Sequence, residues 1–507
     1  MKRAFLSTLF VLFLMFISQV DTSAINIVDN GTTNPASPSL GQIFYRTDLH
    51  SLRIFDQQWL DLNMGIVNVK AFGAKGDGQT DDTTAIQNAV NSGTLVFFPS
   101  GEYKISNTIY ISNNSWAPVK TIMGTGTGTI TSDEEDLALH RTIIKNYSNG
   151  NAFSSKSLGL VIISNLSIQD GLSTSARTSG AGIFAGRNDT DVNIQIRLEN
   201  IWIEGHQDGV RLLRPMVSKI THVTCANPKR DGFRIETTVT GGGTSLFFDS
   251  CYSRTAGQDG FNISGMTYSS LINCASDASG RYGYCFQKGN NSYTAGVSMI
   301  SCGTENAGVS GIYMNKVHGA SIISPYVIRA GEDGIEIKDS RSINIIGAYL
   351  GNNTDYGINA ENTMAREIVL IGPRFDSNSI GNIKDPNKVI TQINNLTEGH
   401  FFRGNFSVSG RFASEGIVFF TNGDMTPSVQ KGNICETNNT LATMISNFDS
   451  GITGQRITVI FKDDNTVIDF TGSSLKGNNG NDWHPKNGDH MDAVCYGNKW
   501  YCTISDN

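Results

Sequence analysis

Between Gly182 and Gly357 apolar and polar residues alternate in short runs that recur at a near-constant interval. Each recurrence has a polar residue, a glycine, an apolar or aromatic residue and then alternation: QDGVRL, RDGFRI, QDGFNI, RYGYCF, VSGIYM, EDGIEI and DYGINA. Their glycines, Gly209, Gly232, Gly260, Gly283, Gly311, Gly334 and Gly357, are spaced 23, 28, 23, 28, 23 and 23 residues apart, and AGIF places Gly182 another 27 residues upstream. A second alternating run precedes each one: LENIWI, KITHVTC, SLFFDSC, SLINC, VSMISC, ASIISP and INIIGA. Period-two alternation sends successive side chains to opposite faces of a strand. A fixed period built from strands alone predicts a β-solenoid, in which a coil buries its inward side chains only when the next coil stacks on it about 4.8 Å away.

Within this frame Cys251, Cys274 and Cys302 each lie nine residues before their glycine and Cys225 seven before. All four are expected to stack inward as one ladder of small hydrophobes. Ligands that point the same way on successive coils do not converge on a metal ion. Cys495 and Cys502 differ: in VCYGNKWYC a two-residue turn at Asn498 and Lys499 would set them opposite each other across a hairpin, where a disulfide fits.

Composition narrows the function. Acidic residues number 46 and basic residues 39, with no Lys/Arg block, which argues against a nucleic-acid partner. Only 17% of residues are charged while 54 are glycine, as an all-β chain with frequent turns requires. Lys2 and Arg3, the apolar run Phe5 to Ile17, and the small residues Thr22 and Ala24 read as a cleaved signal peptide over residues 1–24. The mature chain is then expected to be secreted, at the cell surface or in a periplasm, with no membrane span.

Residues 67–105, VNVKAFGAKGDGQTDDTTAIQNAVNSGTLVFFPSGEYKI, resemble the N-terminal signature of the pectate-lyase superfamily: FGAKGDG, Asp81-Asp82-Thr83, the Ala85-Ile86-Gln87 helix and Phe98-Pro99-Ser100-Gly101-Glu102-Tyr103. The residues themselves agree: Asp81 or Asp82 suits a helix N-cap, and Ile86, Ala89 and Val90 form an apolar helical face. The resemblance implies an all-β chain, a right-handed parallel β-helix (solenoid) with small β-rich N- and C-terminal modules. It also implies that the helix closes the solenoid's N-terminal end, so that the two aspartates belong to a cap and not to a catalytic pair. Residues 41–62 resemble a small module of phage tail proteins, and the segment from Gly451 onward resembles the β-rich tail of phage tailspikes and related exported hydrolases. The predicted organisation is an N-terminal β-module at 25–65, the β-helix at 66–398 and a C-terminal β-rich domain at 399–507. The resemblance implies a polysaccharide partner and a depolymerase, with hydrolysis ahead of β-elimination. No cofactor is expected for a hydrolase; a lyase would call for Ca²⁺. Tailspike relatives imply a homotrimer and pectate-lyase relatives a monomer. The alternative function is a non-catalytic carbohydrate-binding or adhesive surface or virion protein.

No catalytic residue carries over from the superfamily, because the Asn-Thr-Asp, Asp-Asp, Gly-His-Gly and Arg-Ile-Lys motifs of its polygalacturonase branch are not in place. The repeat supplies candidates of its own. Three residues after the ladder cysteines come Arg254, Asp277 and Glu305, which alternation turns outward on consecutive coils. Two carboxylates so placed reach the separation of about 5–9 Å used in glycoside hydrolysis, and Arg254 would orient an acidic sugar. The 28-residue steps carry about five extra residues, in TTVTGGGTS near Gly241 and KGNNSYTAG near Asn291. Insertions map to one face, so these loops should wall a groove beside the carboxylates. Tyr252, Tyr282, Tyr293 and Tyr326 lie nearby in the frame as sugar-stacking platforms. A second acidic row, Asp208, Asp231 and Asp259, immediately precedes three of the glycines, and reads as turn chemistry or as acid, base or Ca²⁺ ligands. His206 and Arg329 complete the expected substrate-binding set; no metal ligands are assigned.

Overall fold

In a computed structural model the alternation resolves into three short strands per coil. The structure describes residues 29–47, 51–61, 65–112, 119–127, 141–156, 159–173, 175–186, 194–237, 241–361, 365–396, 399–403, 417–430 and 432–506. The expected signal peptide lies outside these residues. Contacts divide the chain into two units, Met1–Ile393 and Asn394–Asn507.

The first unit is a right-handed parallel β-helix. The glycine motifs form the first strand of each coil: Asp208–Leu213, Phe233–Glu236, Phe261–Ser264, Tyr284–Gln287, Ile312–Asn315, Ile335–Lys338 and Tyr356–Asn359 join one 11-stranded sheet. The second and third strands, such as Gly243–Asp249 with Tyr252–Arg254 or Val317–Ile323 with Tyr326–Ile328, join a 24-stranded sheet. One residue turns the chain between them, and Ser250, Asn273, Ser301 and Ser324 take left-handed φ values of 52°, 52°, 51° and 49° there. From Phe233 to Ile312 the first strands of neighbouring coils pair in parallel without slippage, Phe233 on Phe261 on Tyr284 on Ile312. Inside, Phe233, Phe261 and Tyr284 stack face to face with centroids 4.6 and 4.9 Å apart.

The repeat glycines are needed for close approach across the solenoid interior. A Cβ on Gly232, Gly260 or Gly283 would strike the inward Ser253, Ser276 or Thr304 of a third strand, and one on Gly209 would strike Cys225. This corrects the single cysteine ladder. Cys251, Cys274 and Cys302 do form a buried column, but Cys225 pairs with Ser253 and so belongs to the next inward row, the one that faces the glycines.

The helix Thr83–Ser92 buries Ile86, Ala89 and Val90 at the start of this core. Asp82 occupies the N-cap position without capping through its side chain; its carboxylate accepts the backbone N–H of Lys75 (2.6 Å) and Gly76 (3.0 Å). Asp81 accepts from Thr83 N–H instead. Both aspartates therefore hold the FGAKGDG loop and the helix start together. Before the solenoid, Ile43–Arg46, Ser51–Asp56 and Gln58–Asp61 make an antiparallel meander, with Asp29–Gly31 parallel on its edge.

The second unit starts as a parallel stack, Ile417–Phe419 on Ile434–Glu436 on Arg456–Ile460, and closes with the antiparallel hairpin His490–Tyr496 and Lys499–Ser505. The hairpin turns at Gly497–Asn498, one residue earlier than expected, because Tyr496 pairs with Lys499. Cys495 then faces Trp500 and Cys502 faces Ala493, and both thiols are free.

Candidate functional site

The third strands present the predicted carboxylate column. Arg254, Asp277 and Glu305 are direct neighbours on three consecutive coils. Asn306 donates its side-chain N–H to Asp277 (3.1 Å), and Arg329 donates to Asn306 (2.8 Å) and to Glu305 (2.5 Å). The Glu305 and Arg329 side chains are 43% and 49% exposed, so their ion pair is solvated and contributes little to stability. In the adjacent outward row Tyr252, Ala275, Gly303 and Tyr326 follow one another coil by coil. Ala275 and Gly303 thus floor a shallow trough between two tyrosines about 14 Å apart, three coil spacings. Burial, followed by the charge of Asp277, raises the Tyr252 hydroxyl pKa.

The inserted loops do not wall this trough. They do lie side by side, since Asn290 N–H donates to Thr237 Oγ1 (2.9 Å). Both follow first strands, however, and the whole second strand separates that corner from the third-strand face. Tyr282 and Tyr293 are likewise elsewhere. Tyr282 stacks on Tyr313 over the first strands, and Tyr293 stacks on His318 at the loop corner. His206 faces no groove: it is fully buried, donating through Nδ1 to Glu204 O (3.0 Å) and accepting at Nε2 from Asn146 (3.3 Å). Burial, reinforced by the charge of Arg177, lowers its pKa to about 4, so the ring is neutral.

The loops border the first-strand face instead. There Asp208, Asp231 and Asp259 are buried, and each accepts the backbone N–H of the equivalent residue one coil on: Asp231, Asp259 and Tyr282. Arg230 grips Asp208 and Arg281 grips Asp259 through two bonds each. With their oxygens taken by guanidinium and amide groups, the three do not converge as Ca²⁺ ligands. Among the described residues no group of three or more His, Cys, Asp or Glu is arranged to hold a metal.

Asp231 differs from its neighbours in the row. Its cation, Arg234, is shared: Nη1 donates to Asp231 Oδ2 (2.8 Å) and Nη2 to Glu236 Oε1 (2.6 Å). Burial, added to the negative charges of Asp259 and Asp208, raises Asp231 to a pKa of about 6. Burial also works against the charge on Glu236, but Arg234 and Arg211, which donates at 2.7 Å, outweigh it and lower that pKa. One fork thus holds a carboxyl that keeps its proton near pH 6 beside one that stays ionised. Two bonds to a single guanidinium also keep the pair inside the ~9.5 Å over which two carboxylates flank a glycosidic bond. Asp231 is 0% exposed and the Glu236 side chain 21% exposed, directly before the first inserted loop. Sequence reasoning missed Glu236, Arg234 and Arg211. The alternation after Gly232 makes Arg234 and Glu236 outward, and the 28-residue step begins at that point.

Residues 66–297 match the family model described as Rhamnogalacturonase A/epimerase, pectate lyase-like. A pre-neck appendage protein of Bacillus phage B103 is 26% identical over 211 residues, 41% of this chain and 22% of that protein. Alginate lyase 7 of Azotobacter vinelandii is 59% identical over 44 residues, 8% of this chain and 5% of that protein. The matches therefore span about a fifth and a twentieth of those relatives. The A-module of the mannuronan C-5 epimerase AlgE6 from Azotobacter vinelandii superposes with a TM-score of 0.53 at 16% identity, covering 65% of this chain and 99% of the module. Over residues 66–297 the chain is similar to the rhamnogalacturonase A/epimerase, pectate-lyase-like family, and its fold there is a parallel β-helix.

Proposed function

We propose that the protein is an exported polysaccharide depolymerase, a glycoside hydrolase in preference to a lyase, and that its reaction takes place on the first-strand face beside the inserted loops. The observation that carries this reading is the Arg234 fork, which joins Asp231, raised to a pKa of about 6 by burial and the charges of Asp259 and Asp208, to Glu236, kept ionised by Arg234 and Arg211. Environments that push two carboxyls apart assign acid and base roles in glycoside hydrolysis. Glu236, the partly open member, faces the anomeric carbon as base or nucleophile. Asp231 lies behind the Arg234 side chain and protonates the glycosidic oxygen once a bound sugar turns that side chain aside; burial, Asp259 and Asp208 then still raise its pKa, and Arg211 still holds Glu236 ionised. Arg211 and Arg234 favour an acidic polymer, in line with the alginate lyase segment and the rhamnogalacturonase A/epimerase match.

A second reading places binding or cleavage at the third-strand trough, favoured by Tyr252 and Tyr326 flanking Ala275 and Gly303 beside Asp277 and Glu305. Reducing ends released from acidic and neutral polysaccharides separate the two. Glu236→Gln should abolish release while Asp277→Asn/Glu305→Gln retains it, and the opposite result moves the site to the trough. Near-ultraviolet absorbance of the product would make the enzyme a lyase. Binding without release would make it the carbohydrate-binding or adhesive protein.

A further inference from the structure

The start of the second strands carries a strip that neither the Arg234 fork nor the trough uses. Ala295, His318, Arg341 and Arg366 pair one on the next over four consecutive coils. The residue after each is left-handed: Gly296, Gly319, Ser342 and Glu367 have φ values of 63°, 70°, 56° and 56°. Tyr268 holds the same position one coil earlier, at φ 50° and 78% exposed. A bulky side chain in that conformation is strained, and such strain collects at ligand sites. Past the Tyr268 ring, Gly296 and Gly319 leave a floor without side chains; a Cβ on Gly296 would touch only Tyr268, and one on Gly319 only the Gly296 backbone. Beside this floor Tyr293 stacks on His318 with centroids 4.1 Å apart, and the exposed Arg341 and Arg366 follow. Burial, then the charges of Arg341 and Arg366, lowers the His318 pKa; the ring is neutral, and its Nδ1 accepts from Arg341 (3.4 Å). Like charges directly opposite on neighbouring strands repel. Among the described residues no carboxylate forms an ion pair with either arginine: Glu367 accepts from Ser342 (2.6 Å), and Asp339 pairs with neither.

We propose that this strip is a separate binding site for a polysaccharide bearing carboxylate or sulfate groups, with a sugar ring on Tyr268, the chain across the bare glycines, and its anionic groups on Arg341 and Arg366. An exposed aromatic ring is an apolar platform with a polar handle, which suits a sugar. A guanidinium matches a carboxylate or a sulfate with two parallel bonds, and an anion there relieves the repulsion between the two arginines. From Tyr268 to Arg366 the strip covers four coil rises, about 19 Å, so it takes a run of sugars and not a single one. Nucleic acid is also anionic and stacks on aromatic rings, but it wants a broad basic face, and this chain has a net charge of −7. The strip lies around the loop corner from Glu236, and its role does not depend on where, or whether, the polymer is cut.

The test is binding of the full chain to immobilised polygalacturonate, dextran sulfate and dextran at low salt. The wild type is expected to bind polygalacturonate or dextran sulfate and not dextran, and the tighter of the two identifies the anionic group. Arg341→Gln/Arg366→Gln should weaken that binding about tenfold or more. Tyr268→Gly, which relieves the backbone strain, should weaken it without loss of thermal stability; this variant decides the matter should the arginine pair fail to fold by circular dichroism. Binding to neither anionic polymer overturns the proposal, as does binding to dextran as tight as to both, or a folded variant that binds like the wild type. A single-stranded oligonucleotide bound more tightly than either polymer would make the strip a nucleic-acid site and overturn it as well. Binding is read without cleavage, so this outcome and that of Glu236→Gln are independent.

Discussion

Asp231 gives the account a quantitative consequence. Its pKa is raised from 3.8 to about 6 by burial and by the charges of Asp259 and Asp208. A carboxyl with a raised folded-state pKa binds protons more tightly in the native state than in the unfolded one. Its contribution to stability is therefore full below pH 3.8 and is lost as pH rises through about 6. The shift is about two units, and at 1.36 kcal/mol per unit the loss comes to about 3 kcal/mol across that window. Asp231→Asn keeps the shape without titrating. The difference in unfolding free energy, wild type minus variant, should fall by about 3 kcal/mol between pH 4 and pH 7, as read from guanidinium unfolding at each pH. The difference is needed because other groups titrate in the same window. A flat difference, or one that rises with pH, would show that Asp231 is ionised in the folded protein and would remove it as a proton donor.

His206 should show the opposite sign. Its pKa is lowered from 6.5 to about 4, so the stability it contributes is present above 6.5 and lost as pH falls through 4; the His206→Gln difference should shrink by about 3 kcal/mol over that range in the same unfolding series. Gly260→Ala drives a Cβ into Ser276 and should cost about 1–3 kcal/mol, with Ser276→Gly restoring only part of it because the Gly283 backbone oxygen, 2.7 Å from the new Cβ, remains; a neutral single substitution would contradict the close approach across the interior. With all eight cysteines free, thiol titration should count eight in denaturant without reductant, and fewer would reveal a disulfide.

The solenoid was legible because one period carries it: a recurring glycine and alternation on either side fix the coil, its inward column and the outward Arg254–Asp277–Glu305 stack. Which corner of the coil a loop occupies was not legible. Position along a repeat gives order and parity, but not the angle at which the chain turns, so the insertions after Glu236 and Gln287 were set beside the wrong strand. Parity also explains Cys225. Two residues along a strand keep a side chain inward but move it one row, from the cysteine column to the glycine-facing one. The hairpin at Gly497 failed by a single residue of register, enough to separate Cys495 from Cys502. Glu236 was missed because its role comes from a guanidinium shared with Asp231, five residues earlier and around a glycine.

The central claim is that Glu236, beside Asp231 on Arg234, does the chemistry. Its most direct test is reducing-end release by folded Glu236→Gln protein on an acidic polysaccharide that the wild type cleaves. Loss of release by about a thousandfold or more, with binding retained, is what the account predicts for removal of a catalytic carboxylate. Release at the wild-type rate would contradict it and move the reaction to the third-strand trough.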